Sequence, residues 1–217
     1  MKEKLMAMAD KYFDAIVETA SEMLRIPSKS GDERALAEYT LAKMRQLGYD
    51  EVSSDKYGNV IGLMRGSGGG KSMMLNCHLD VVDEGPHENW KYPPFSGQVA
   101  EGAIWGRGAS DTKGTFAIQI YVPYILRQEG MMTKGDIYVV GVVHEEDAGF
   151  GSMMMAQYGF HTDYAVIGEA SENDLAVACR GRIGIEGIDY RQILPCKRTA
   201  GRGKSVCLFG WVPARIK

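Results

Sequence analysis

The sequence is poor in the features that mark secreted, membrane-bound and fibrous proteins. It holds four cysteines in 217 residues, Cys77, Cys179, Cys196 and Cys207. None forms a CxxC pair and they are too few to staple a small secreted scaffold, so they read as free thiols. No apolar run approaches the roughly 18 residues a membrane span needs. The opening M-K-E-K-L-M-A-M-A-D-K-Y-F carries charges where a signal peptide would carry an apolar block. These absences point to a cytoplasmic protein with no membrane partner. Repeats and low-complexity blocks are missing too, and a hydrophobic fraction of 45% with a charged fraction of 24% excludes disorder and collagen-like stalks. Glycine is what the chain has in excess, 27 residues, well above the usual share of about 7%, which implies many tight turns.

The small net charge of -3 is a cancellation. Seven of the 25 Lys and Arg, and none of the 28 Asp and Glu, fall between Arg191 and Lys217, which leaves residues 1–190 with 18 basic and 28 acidic groups. An acidic body is joined to a basic tail. Taken at face value, such a tail would be a nucleic-acid or membrane-surface arm, but a shifted reading frame accounts for it better, and neither nucleic acid nor membrane is expected as a partner.

Helical periodicity runs from Leu5 to Leu24, through Met8, Tyr12, Phe13, Ile16, Val17 and Ala20, and Pro27 closes the segment. A second helix is predicted over Glu33 to Leu47, with Asp32 as its cap and Gly48 just past its end. Strand-like runs follow at Gly58 to Met64, Ser72 to Cys77, Gly135 to Val143, Tyr164 to Gly168 and Leu175 to Ile183. Between them Thr115 to Leu126 reads as a helix interrupted at Pro123, and Ser152 to Tyr158 as a shorter helix whose Met153, Met154 and Met155 are gap-filling core residues. The alternation predicts an α/β sandwich around a mostly buried sheet.

Chemistry-bearing residues sit at the predicted strand ends, where open α/β sheets place their sites. His78 and Asp80 in N-C-H-L-D share one face of an extended segment, so the carboxylate could fix the imidazole while its other nitrogen binds a metal. Asp111 lies in the glycine-rich G-R-G-A-S-D-T-K-G, with Lys113 nearby. There a capping turn is the bland reading, and an acid held on a close-approach backbone the functional one. Glu145 and Glu146 follow the strand ending at Val143; side chains alternating along an extended strand would aim one at a metal and the other at a substrate. Glu169 in V-I-G-E-A-S lies beyond another strand. One histidine and several carboxylates from four strand ends suit a pair of divalent ions sharing a carboxylate.

A rival motif, Arg65-Gly66-Ser67-Gly68-Gly69-Gly70-Lys71-Ser72, nearly spells a phosphate-binding loop. It has Arg where the motif needs Gly, and a strand run rather than a helix follows, so a hairpin turn is the better reading.

With D-K-Y-G-N-V-I-G, H-L-D, W-K-Y-P-P-F-S-G, G-R-G-A-S-D-T-K-G, E-E-D, G-E-A-S and C-R-G-R-I-G-I-E in this order, the chain resembles, from Met1 to about Glu186, the co-catalytic zinc hydrolases that include acetylornithine deacetylase, succinyl-diaminopimelate desuccinylase, aminoacylase and related carboxypeptidases and dipeptidases. The resemblance implies a three-layer αβα zinc-exopeptidase-like domain with a mostly parallel mixed sheet over residues 1–186. It makes His78 and Glu169 ligands of one zinc, Asp111 the bridging ligand and Glu146 a ligand of the other zinc. Glu145 becomes the general base acting on a metal-bridging water, and Asp80 the partner orienting His78. The implied reaction is hydrolysis of an amide bond in a small peptide or N-acyl amino acid, with two Zn2+ ions, or Co2+ or Mn2+, which carboxylate-rich ligation also accommodates.

The family's second zinc takes a further histidine from beyond an inserted lid domain, and no matching motif contains His87 or His161. The second metal is then left with Asp111 and Glu146, one protein ligand short of a usual catalytic zinc site. The sequence thus reads as truncated before the lid, and an inactive homologue binding at most one metal tightly is the alternative to an enzyme. The family's lid often mediates dimerisation, so its loss argues for a monomer or for exposed apolar surface and poor solubility. Residues 187–217 read as an aberrant tail. Codons for Arg191 to Thr199, advanced by one base, can spell Gly-Lys-Ser-Cys-His-Ala-Ser-Ala, which resembles the family's lid motif and points to a frameshift near Gly187 to Tyr190.

Overall fold

A computed structural model of the chain describes residues 2–171, Asp174 and Ala176. The predicted strand Leu175 to Ile183, the tail from 187 onward and its proposed frameshift lie outside the described residues.

Helix α1 spans Lys2–Leu24 and α2 Arg34–Gln46. Strand β1 (Glu51–Ser54) turns into β2 (Val60–Met64), β3 follows at Met73–His78, and a small hairpin is made by β4 (Gln98–Ala100) and β5 (Ala103–Trp105). Then come α3 (Gly114–Gln128), β6 (Ile137–Val142), the short α4 (Glu145–Ala148), α5 (Phe150–Gln157) and β7 (Tyr164–Ile167). No helix among the described residues is long and apolar enough to cross a membrane.

The main sheet has the order β1-β2-β6-β3-β7. It is mixed: β3 pairs in parallel with β6 and β7, while β2 is antiparallel to both β1 and β6. Side chains alternate between its faces, as a pleated strand requires. Leu75, Cys77, Ile137, Val139 and Val143 face a core completed by Met23 of α1, Leu36 and Met44 of α2 and Phe116 and Ile120 of α3. Val140 and Val142 face the opposite way, against Met155 of α5 and Phe160. Helices thus cover both faces, giving the three-layer αβα arrangement. At Gly141 the missing Cβ lets Phe116 approach, since a Cβ there would lie 2.7 Å from Phe116 Cζ and 2.8 Å from Leu79 Cδ2.

Several local expectations change. The glycine-rich segment 65–72 is not a hairpin turn, because β2 pairs with β6, not β3. The segment crosses the end of β6 instead, held by Ser67 N–H to Thr133 O at 2.9 Å and Gly66 N–H to Asp136 Oδ1 at 2.9 Å. Asp32 does not cap α2; the capping position is Glu33, without a side-chain cap bond. Helix α3 runs through Pro123 rather than breaking there. Burial of Phe116, Ala117, Ile120 and Tyr121 against the core supplies more than the one backbone bond that proline removes. Of the three methionines, Met155 is buried and Met153 is exposed. Along α1 the inward face holds only in part, with Phe13 60% exposed. β1 and the β4–β5 hairpin are too short to leave a periodic signal.

Candidate metal centre

Because β3, β6 and β7 run in parallel, their carboxyl ends emerge at one edge of the sheet. His78 is the last residue of β3, Glu145 and Glu146 open α4 just beyond β6, and Glu169 lies two residues past β7. Asp111 arrives from the turn that leads into α3. That turn is entered through Gly108 at φ +87, where a Cβ would meet Val81 Cγ1 at 2.7 Å, so glycine is required on both counts.

The ligand atoms of His78, Asp111 and Glu146 lie within 4.8 Å of one another. His78 Nε2 is 2.9 Å from Asp111 Oδ1 and 4.0 Å from Glu169 Oε2. Glu145, exposed beside them, is not part of the triad. Glu145 and Glu146 do not diverge by strand alternation. His144 takes a left-handed conformation, φ 53 and ψ 41, and turns the chain from β6 into α4, so the two glutamates sit on successive positions of a helical turn.

The imidazole of His78 is 1% exposed. Its Nδ1 lies 2.8 Å from the backbone carbonyl oxygen of Asp80 and 3.6 Å from Asp80 Oδ1. A carbonyl only accepts, so Nδ1 carries a proton; without a metal Nε2–H donates to Asp111 Oδ1, and in the neutral ring that nitrogen's lone pair is free for a cation. The Asp80 carboxylate, fully buried, accepts the Glu145 N–H on Oδ1 at 3.0 Å and, on Oδ2, the Glu146 N–H at 3.0 Å and the Ser30 hydroxyl at 2.6 Å. Where the sequence suggested that this carboxylate holds the ring, the direct hydrogen bond is made by the main chain.

The electrostatics suit a cation. Burial pulls the His78 imidazole down, but the Asp80 and Asp111 carboxylates outweigh it and push it up to about 10. Burial, with Asp111 next, raises Glu146; burial raises Glu169 as well, His78 working against it and Asp111 with it. Burial would also raise Asp80, yet the His78 ring, the Ser30 hydroxyl and the Glu145 and Glu146 amides hold it well below its ordinary value. Three carboxylates thus converge on one unprotonated ring nitrogen when His78 is neutral. That donor set fits a divalent metal ion, whose charge relieves the repulsion.

Four residues hold the site in place, and only Asn59 among them has any pointer in the sequence. Lys113 points away from Asp111: its side chain is 0% exposed, and Nζ donates to Ile26 O at 2.7 Å and Met23 O at 3.3 Å, closing the end of α1. Burial pulls this amine down to about 7. Asn59, also 0% exposed, accepts the Val143 N–H at 3.0 Å and donates to Gly151 O at 3.1 Å and Asp55 Oδ2 at 2.7 Å, locking the β1–β2 turn to the segment that bears Glu145. The Glu33 carboxylate accepts the His144 N–H at 3.0 Å, and Ser30 holds Asp80. The D-K-Y-G-N string was the one available pointer, to Asn59.

Comparison with known proteins follows the same outline. Peptidase family M20/M25/M40 matches residues 74–193. An uncharacterized protein of Escherichia coli K12, YgeY, is 30% identical over 166 residues, 76% of this chain and 41% of its own length. An N-formyl-4-amino-5-aminomethyl-2-methylpyrimidine deformylase of Bacillus subtilis is 30% identical over 134 residues, 59% of this chain and 32% of that protein. This chain spans about two fifths or less of the length of these relatives. Among solved structures, human carnosine dipeptidase 1 superposes with a TM-score of 0.66 at 19% identity, covering 84% of this chain and 43% of that one. An M20 family metallo-carboxypeptidase from Sulfolobus solfataricus gives a TM-score of 0.60 at 21% identity, covering 70% and 37%. These two share the fold described above.

Proposed function

From the premise that this chain belongs to peptidase family M20/M25/M40, we propose that it carries the metal-binding half of a hydrolase that cleaves an amide bond in a small peptide or an N-acyl amino acid. The observation that carries this reading is the convergence of His78, Asp111 and Glu146 within 4.8 Å at the carboxyl edge of the parallel strands. Relatives named as a deformylase, a probable succinyl-diaminopimelate desuccinylase and a dipeptidase support the amide-hydrolysing class.

In this reading His78, Asp111 and Glu169 hold one divalent ion, and Asp111 and Glu146 contribute to a second. Zinc is the leading candidate, with cobalt or manganese as substitutes. Metal bound there supplies Lewis acidity toward the scissile carbonyl and lowers the pKa of water. Glu145, exposed and outside the ligand triad, takes the proton from the attacking water and returns it to the leaving amine. His78 is kept as an Nε2 donor by the Asp80 carbonyl. Residues 1–186 are the first part of the catalytic domain.

The test is zinc counting on the purified chain, with an assay against N-formyl and N-succinyl amino acids and dipeptides. Bound zinc with turnover abolished by Glu145→Gln, which keeps the metal, supports the enzyme. Bound zinc lost in Glu146→Gln but no turnover on any substrate supports a metal-binding homologue without catalysis. A chain that takes up no zinc, cobalt or manganese refutes the metal centre.

A further inference from the structure

A cavity of about 270 Å³ opens between the β1–β2 turn and α5, on the face of the sheet turned away from α1, α2 and α3. Its floor is apolar, made by Ile61 of β2, Met154 and Met155 of α5 and Phe160. Tyr57 of the turn and Tyr158 at the end of α5 wall it, with ring centroids 5.6 Å apart and planes inclined by 39°. Other rings brace these walls: Tyr57 stands edge-on to Phe150 at 5.5 Å, and Phe160 edge-on to Tyr138 at 5.3 Å. A largely pre-formed apolar hollow with a few convergent polar groups is the ordinary form of a small-molecule site. None of its lining residues belongs to the metal triad.

Lys56 stands at the mouth. Its ammonium lies 4.0 Å from the centre of the Tyr158 ring and 5.0 Å from that of Tyr57, and among the described residues no carboxylate pairs with it. Asp55, next to it in the chain, has its oxygens turned into the β1–β2 turn: Oδ1 accepts the Tyr57 N–H at 2.8 Å and the Asn59 N–H at 3.0 Å, and Oδ2 the Asn59 side-chain amide at 2.7 Å. The Tyr57 hydroxyl and the Lys56 ammonium hold the Tyr158 phenol below its ordinary value. The mouth is thus a set of donors with one positive charge, placed over an apolar floor. Such a mouth matches a singly charged anion; a phosphate ester, with about two charges, meets no second cation among the lining residues. The floor, with its rings and adaptable thioethers, matches an aromatic ring. At just under the roughly 300–1,000 Å³ of drug-sized sites, the volume admits one ring on a short chain. We infer that the cavity binds a free small carboxylate bearing a single aromatic ring, the ring on Ile61, Met154 and Phe160 and the carboxylate on Lys56 and the tyrosine hydroxyls.

The probe is 3-phenylpropionate, added to the full chain in the presence of a chelator so that no metal ion captures the carboxylate. Its neutral amide, 3-phenylpropanamide, keeps the ring and loses the charge, and acetate keeps the charge and loses the ring. Methyl signals of Met154 and Met155 report occupancy. The acid is expected to shift both to saturation, the amide to bind about fivefold more weakly, as an exposed ion pair allows, and acetate to shift neither. Lys56 is exposed, so Lys56→Met leaves the fold intact; it is expected to erase the difference between acid and amide while the ring still binds. Met154→Trp, which fills the cavity, is expected to abolish binding of both. Silent wild-type methyls up to about 10 mM probe, equal binding of acid and amide, or acid binding untouched by Met154→Trp overturns the proposal. Self-association of the chain that buries Tyr158 and excludes the probe overturns it too, because the groove is then an interface between copies. Zinc uptake with silent methyls refutes this site alone, and a chain that binds the probe but no metal refutes the metal centre alone.

Discussion

Replacing Lys113 by Met tests the buried amine beside the metal centre. Lys113 lies in an apolar setting with two carbonyls for company, and burial pulls it down from 10.5 to about 7. Between those values the unfolded chain holds a proton that the folded chain has released, so this group's contribution to stability rises with pH, by about 1.4 kcal/mol per pH unit. His78 acts in the opposite sense. It is raised from 6.5 to about 10, so the folded protein keeps a proton the unfolded chain has lost. Its stabilisation, complete below the unfolded value, drains away toward pH 10 at the same rate. In metal-free protein the two slopes oppose each other between about pH 7.5 and 8.5. Lys113→Met removes the rising one. Urea unfolding of both proteins in the presence of a chelator, at several pH values across that window, is therefore expected to give a stability difference that grows by about 1.4 kcal/mol per pH unit in favour of the wild type. Other titrating groups are shared by both proteins and cancel. Parallel curves, with a cost of Lys113→Met that does not change with pH, would refute the reasoning, for they would mean that the amine stays protonated as an ammonium bonded to Met23 O and Ile26 O.

Three further outcomes follow from the packing. Asn59→Ala strips partners from the Val143 N–H and Gly151 O and is expected to cost about 2–4 kcal/mol in urea unfolding; a cost below about 1 kcal/mol would mean that water replaces the side chain. Gly141→Ala places a methyl 2.7 Å from Phe116 Cζ, expected to cost about 1–3 kcal/mol, and Phe116→Leu in the same chain should restore part of that loss if the clash is the cause. At Gly168 a Cβ would lie 2.5 Å from Cys77 Sγ and 2.6 Å from Gln119 Nε2, directly before Glu169. Gly168→Ala is therefore expected to weaken zinc binding about tenfold or more in a competition assay with a chromophoric chelator, and unchanged affinity would separate Glu169 from the metal.

Strands β2, β3, β6 and β7 were legible because each is a short apolar run set off by turn residues, whereas the polar β1 was not. Their neighbours were not, since pairing depends on where the chain returns from. The segment Arg65 to Ser72 has the composition of a tight turn, but only the insertion of β6 between β2 and β3 reveals it as a crossover. Pro123 carried a breaking signal that burial of α3 overrode. At the site, His78 ends β3, Glu146 opens α4 just past β6 and Asp111 comes from the turn before α3, and the three stand together at the carboxyl ends of the parallel strands. What holds them there was harder to read: Lys113 and Glu33 look like solvated charges in sequence, and both are buried, Lys113 against the end of α1 and Glu33 on the His144 amide. The Asp80 carboxylate lies 3.6 Å from the ring two residues back, as extended geometry suggested, but the two amides it also accepts were hidden because α4 offers them from a distant segment.

The parallel pairing of β3 also governs how the chain reaches its native state. Met73 lies opposite Ile137 and Tyr164, so neither neighbour of β3 exists until most of the described chain has been made. Closing such long loops costs entropy before any contact repays it, which makes folding of this sheet slow compared with that of a helical bundle. Until then the apolar Met73-Met74-Leu75 run has two open edges and is a site for aggregation of the nascent chain. The acidic residues come together only when those pairings close. Metal uptake during refolding is therefore expected to follow the closing of those pairings, and a stopped-flow metal signal that precedes sheet formation would refute this order.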